Sequence, residues 1–424
     1  MHRLVLLLLL LLPACGDASS DAGSLDDLAL VLVPAADGGE PRGDLDRRLV
    51  SAQEEVRRGG DVVAALEGLG RLYVAKARLA QDPGFYKLAE ACADGIARRS
   101  PEHCGGRLLR GHVLHSLHRF AEAEAVARRL VADRGAFADH GLLGDVLYDR
   151  GRVEEALASY QRMLDLKPCL QSYARAAQVR WLCGDLDGAR QLLQLAIGAG
   201  SHRDPEALCW AYARLALVEL QAGQLAAAAE QCARAQAIDA DAVSVLLARA
   251  RVLAADDQWD AACSVALRAA ELCPLPEHRW LAIDLLERNG DPAGAAALAA
   301  DLRRSGARDD ARHFALFLLS RGEDRPRALA LATQELAARQ DVFTHDLHAW
   351  ALLANDRVEA AQTAMDAALA LGTGDARIEY HAGAIAAARG DAAAARTHFA
   401  VAQRRAGTLW PSERADLARR MAAL

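Results

Sequence analysis

Apolar positions recur at helical spacing along nearly the whole chain, and Phe137–Pro168 shows the pattern most clearly. Leu143, Val146 and Leu147 share one face of a first helix, which stops at Gly151, a residue suited to a left-handed cap. Ala156, Leu157, Tyr160, Leu164 and Leu166 then mark a second helix that ends at Pro168. A turn this short forces the two helices antiparallel. Gly144 and Ala156 are small, and the spacing predicts that they meet where the backbones approach. One such hairpin cannot bury both apolar faces, so the pattern demands neighbours.

The chain supplies them. The turn residue recurs as Gly184, Gly223, Asp257, Gly290, Gly322, Asn355 and Gly390, all types that accept positive φ. A small residue follows each turn: Ala189, Ala228, Ala262, Ala295, Ala328, Ala360 and Ala395. Upstream, His118 and Ala123 keep the same relation, with Gly111 in the place of Gly144. The interval is about 34 residues, the tetratricopeptide period. Residues 61–407 therefore resemble tetratricopeptide repeats. That resemblance implies an all-α fold, a right-handed α-solenoid of about nine to ten helix hairpins with terminal capping helices. The phrases LGRLYVAKARLAQDPGFYKLAEA, LLGDVLYDRGRVEEALASYQRMLDLKP and YHAGAIAAARGDAAAARTHFAVA resemble a family of bacterial tetratricopeptide lipoproteins or exported proteins without an assigned role. The likeness implies architecture and no activity.

Before the repeats, residues 1–14 read as a signal peptide: Arg3, a leucine run, and a small residue just ahead of Cys15. The run is too short to span a bilayer as a mature helix. Leu12-Pro13-Ala14-Cys15 resembles a bacterial lipobox, which implies a lipid on Cys15 and a membrane anchor. Gly16 follows instead of an acidic residue, which in such lipoproteins points to the outer membrane where the host has one. Residues 15–43 read as a flexible tether rich in Asp, Gly, Ser and Ala. Within it Leu28–Val33 is apolar and fits either a short strand or a docking helix. Residues 44–60 read as an N-terminal capping helix, and 408–424, opened by Trp410-Pro411-Ser412, as a C-terminal one.

Composition narrows the partners. Apolar residues make up 52% of the 424 residues but aromatics only 5%, so the core must be Ala and Leu in closely spaced helices. A net charge of -7 without Lys/Arg runs argues against nucleic acid as a main partner. Of the cysteines beyond Cys15, Cys169 and Cys183 fall at opposite ends of one helix and Cys263 and Cys273 share another, so neither pair can bridge. Most are expected to act as small core hydrophobes.

No phosphate loop, nucleophile elbow, His-Glu-x-x-His helix or dinucleotide fingerprint occurs, so the expectation is a non-enzymatic protein without a cofactor. Two constellations remain. His112 and His115, three apart on one helix face, are weak candidates for a metal or small-ligand site, with His118, His103 and Cys104 nearby. The stronger candidate is a partner-binding groove on the concave wall, made by first helices of successive hairpins. His115, Tyr148 and Trp181 occupy equivalent positions in three repeats, with His112, Asp145 and Gln178 one turn earlier. Asp149, Trp210 and Trp280 complete the set. Such a strip of flat apolar faces with polar tips suits a protein or peptide.

Overall fold

The computed structural model describes residues 25–32, 44–80, 82 and 84–424; the stretch expected to be a signal peptide, Cys15 and most of residues 15–43 lie outside them. Within the tether, Leu25–Leu32 forms a 3-10 helix, which settles the open reading of that stretch. Its Leu28 and Val31 are buried against Leu49, Val56, Leu66 and Tyr73, so it docks on the first repeat. The Tyr73 hydroxyl donates to the Val31 carbonyl at 2.5 Å and fixes that docking.

Helix α1 (Asp44–Arg58) precedes ten hairpins. These pair α2 (Val62–Ala80) with α3 (Gly84–Arg99), α4 (Cys104–Ser116) with α5 (Phe120–Asp133), and α6 (Phe137–Asp149) with α7 (Val153–Leu166). There follow α8 (Leu170–Leu182) with α9 (Leu186–Gly198), α10 (Pro205–Gln221) with α11 (Leu225–Gln236), and α12 (Val243–Ala255) with α13 (Trp259–Leu272). Then come α14 (Pro276–Arg288) with α15 (Pro292–Asp309), and α16 (Ala311–Ser320) with α17 (Arg325–Ala338). The last pairs are α18 (Val342–Ala354) with α19 (Val358–Leu369) and α20 (Ala376–Ala388) with α21 (Ala392–Arg404), before α22 (Pro411–Ala422). The fold is all-α, a tetratricopeptide-type solenoid.

The turn chemistry has the expected cause. Gly151, Gly184, Gly223, Gly290, Gly322 and Gly390 take positive φ, and His118 and Asp257 do the same at φ 58° and 57°. In the ninth hairpin the left-handed residue is Asp356, at φ 58°, rather than Asn355, whose amide instead donates to the Ala351 and Arg325 carbonyls. The buried alanine shifts with it, from Ala360 to the fully buried Ala361. Gly144 serves a larger neighbour than Ala156 alone. A Cβ at Gly144 would overlap the Tyr160 ring, so the glycine seats an aromatic one turn along. Gly383 seats Phe399 in the same way. The reason is that a ring needs more clearance than an alanine methyl, and glycine supplies it.

First helices are enclosed on most sides: α20 buries Ile378, Tyr380, Ala382 and Ile385 among others. Its partner α21 buries one stripe, Ala395, Phe399 and Ala402. First helices therefore form the inner layer. The cysteines follow suit, since Cys92, Cys209, Cys232, Cys263 and Cys273 are all buried.

The array then coils far enough to touch itself. The Gln340 amide, just before α18, donates to the Asp149 carbonyl at the end of α6 over 2.8 Å. Gln221 of α10 donates to the Gly374 carbonyl before α20 at 3.0 Å. Arg414 of α22 reaches the Ala254 carbonyl of α12 at 3.2 Å. These contacts form a seam along which C-terminal ends of early inner helices meet N-terminal ends of late ones.

Candidate functional site

The seam decides which part of the inner wall is open. At its start, His115 Nε2 lies 2.8 Å from Asp149 Oδ2, and Arg339 Nε lies 3.4 Å from Asp149 Oδ1. Arg339 also donates toward His118 Nε2 at 3.2 Å. One turn earlier on the inner wall, Arg175 binds Asp145 through two hydrogen bonds of 2.8 and 2.6 Å, and the Tyr160 hydroxyl adds a third at 2.9 Å. Burial alone would raise the Asp145 carboxyl, but Arg175 outweighs it and holds the pKa below the usual range. His112 beside this pair is pushed down to about 4, chiefly by burial, and is neutral at pH 7.

These partners correct the sequence reading of the strip. Trp181 is only 9% exposed; it stacks on Phe343 at 5.9 Å and donates its indole N–H to Gln221 at 2.6 Å. The Tyr148 hydroxyl is buried with no hydrogen-bond partner, and burial raises its pKa. Trp280 is 1% exposed, stacked on Trp410 at 4.5 Å. His115, Tyr148, Trp181 and Trp280 therefore do not form an open strip, because the next superhelical turn covers them. Trp210 does remain accessible, 39% exposed near the start of α10. The histidines offer little to a metal. His115 is engaged by Asp149, and among the described residues no three His, Cys, Asp or Glu side chains converge as metal ligands would.

Beyond the strip the inner helices α8 to α20 line a cavity of about 280 Å3 that is partly open to solvent. Gln178 and Trp181 border it, as do Arg214, Arg251, Arg312 and Arg377, none of which the sequence pattern had singled out. The available signal was arginine on the inner stripe of four separate first helices. Acidic neighbours hold most of these cations. Arg377 forks onto Glu413 at 2.5 and 3.2 Å, and Arg251 donates to Glu277 at 2.7 Å. Burial works to raise Glu277, yet His313 and Arg251 bring it down to about 2. Arg312 has a looser contact with Asp341, at 3.5 Å. Asp375 caps α20, accepting from the Arg377 and Ile378 amides at 3.0 and 3.2 Å, and Asp346 is taken by His381 at 2.8 Å.

At its far end the cavity meets the α22 segment. The Ser412 amide donates to Asp284 Oδ2 at 3.1 Å and its hydroxyl makes a further contact with that carboxylate. Burial raises the Asp284 carboxyl to about 6 despite these donors and Arg321.

A tetratricopeptide repeat family model matches residues 142–204, the stretch from α6 to the start of α10. No curated protein matches the chain. Among solved structures, Pseudomonas aeruginosa PilF is similar over 48% of this chain and 92% of its own, at 19% identity and a TM-score of 0.41. The Cut9–Hcn1 hetero-tetramer of the APC/C matches over 89% and 90%, at 14% identity and a TM-score of 0.38. The human IFIT1 dimer with PPP-AAAA matches over 91% and 94%, at 12% identity and a TM-score of 0.48. All three scores fall below 0.5, so none of these arrays superposes closely on this one.

Proposed function

We propose that this chain is a non-enzymatic scaffold, tethered to a bacterial membrane through Cys15, that holds a protein or peptide partner in the cell envelope. A tetratricopeptide-type solenoid works through extended surfaces rather than a single catalytic point. The observation that carries the reading is Trp210: a large aromatic left 39% exposed on an inner helix whose other aromatic neighbours are covered. Exposed tryptophans of this kind are the residues that most often dominate binding energy. The formal charge of -7 fits a partner that is not nucleic acid.

The test pairs capture with folding. Partner capture from envelope extracts by the intact chain should fall at least several-fold for Trp210→Ala while circular dichroism stays unchanged. Unchanged capture would move the partner surface elsewhere. The anchor has its own test: Cys15→Ser should abolish acyl labelling and leave an unprocessed precursor, and normal maturation of that variant to a soluble form would remove the tether.

A further inference from the structure

On the cavity wall Arg214 is a cation held only by uncharged groups among the described residues. Arg214 donates to Gln178 Oε1 at 2.8 Å, and its guanidinium lies 5.2 Å from the Trp181 ring centre. Among the described residues no carboxylate stands within ion-pair distance of it. The acids on the cavity wall are already taken: Glu277 by Arg251, Asp346 by His381, and Asp375 by two backbone amides. Arg251, a cation on the same wall, has a buried Nε without a hydrogen-bond partner. Burial, and after it the charge of Arg251, depress the Arg214 pKa and outweigh the carboxylates of Asp375 and Glu277, neither of which reaches ion-pair distance of it.

A guanidinium set largely inside a fold normally has a charged partner. Here the same wall also offers apolar faces from Trp181, Leu217, Leu316 and Phe343. The cavity volume, about 280 Å3, sits at the lower end for small-ligand sites. We infer that the cavity binds a small organic oxyanion, its carboxylate or phosphate head on Arg214 and Arg251 and its apolar body against Trp181 and Phe343. Guanidinium groups are suited to such heads because they donate in a planar fork. Phe343, Asp375 and Trp410 come from beyond the seam, whereas Gln178, Arg214 and Arg251 come from before it. A ligand seated there touches both turns of the coil and ties them together. This site is separate from the partner surface at Trp210, and its test does not involve partner capture.

The experiment is calorimetric titration of the full chain with inorganic phosphate and with benzoate, using benzyl alcohol at equal ionic strength as the uncharged control. Saturable binding of either anion, with none for the alcohol, is expected; a preference for benzoate assigns a carboxylate on an apolar body, and a preference for phosphate assigns a phosphate head. Arg214→Gln should weaken the favoured anion about tenfold or more, the scale of one charge-assisted hydrogen bond, with unchanged circular dichroism. Glu277→Gln releases Arg251 and should tighten binding. Absence of saturable binding for both anions, or equal affinity in Arg214→Gln, overturns the inference. Should Arg214→Gln not fold, Glu277→Gln decides, and unaltered affinity in that variant overturns it.

Discussion

Arg175 and Arg214 sit on the inner faces of adjacent first helices, yet the fold treats them in opposite ways. Arg175 is clasped by Asp145, which Tyr160 also supports. Arg214 has only a neutral amide and an aromatic face, beside open volume. The difference teaches that the inner surface has two kinds of region. One is structural, where every charge has a fixed answer within the chain. The other is provisioned, where a charge has been placed and the answer left out.

The boundary between the two is Trp181, and breaking it should have the largest effect. Trp181→Ala removes the stack on Phe343 and the bond to Gln221, and should cost about 3–5 kcal/mol, the range for a large aromatic cut back in a core. A loss under about 1 kcal/mol in chemical denaturation would mean that the seam contributes little and that the closed wall is only nominally closed.

Arg175→Ala comes next, at about 2–3 kcal/mol, because it strands Asp145. The figure lies below that for a fully buried pair because the two side chains keep 27% and 22% of their surface. Arg214→Gln should cost less than about 1 kcal/mol, since no carboxylate is stranded. Equal losses for the two variants in urea denaturation would erase the contrast.

Acid should act on the two ends in opposite directions. His112 has its pKa depressed to about 4 in the fold, so its contribution is present above about 6.5 and is lost as pH falls toward 4. Asp284 has its pKa raised to about 6, so its contribution is complete below about 3.8 and is lost as pH rises through 6. Between pH 7 and pH 5, hydrogen exchange in α4 should quicken while exchange in α14 and α22 slows, each by on the order of 1–2 kcal/mol of local protection. Parallel changes at both ends would show that neither group governs its surroundings.

The smallest effect is expected at Trp210. Its truncation should shift stability by less than about 0.5 kcal/mol, as for surface substitutions, so a large loss of melting temperature would reclassify it as core.

Much of the array was legible in the sequence, because the constraints that write it are local. A left-handed turn residue is best Gly, Asn or Asp for steric reasons, with His118 the departure, and a methyl-sized residue must follow where the second helix crosses the first. Even the slip from Asp356 to Asn355 was a choice between two adjacent residues of the permitted kind. The groove was less legible. Its register was readable, but its cover was not, since the contacts that close it join residues such as Gln221 and Gly374, 153 positions apart. Periodicity reports what each hairpin does to its neighbour. The closing of a coil depends on small rotations summed over many hairpins, and no single repeat carries that sum. Arg214 was missed for the same reason: one arginine on a helix face looks solvated until the opposite wall is known.

The Gln340–Asp149 contact sets a rule for how such a gene can change. Repeat arrays ordinarily tolerate gain or loss of a whole unit, since each unit touches only those beside it. Here a unit inserted or deleted between α6 and α18 would carry Gln340 past its mate and bring a different inner helix end to every position along the seam. Copy number is therefore quantised by geometry. Length variants should survive only where they add beyond the seam, before α4 or after α22, and the interior count should behave as a single inherited character.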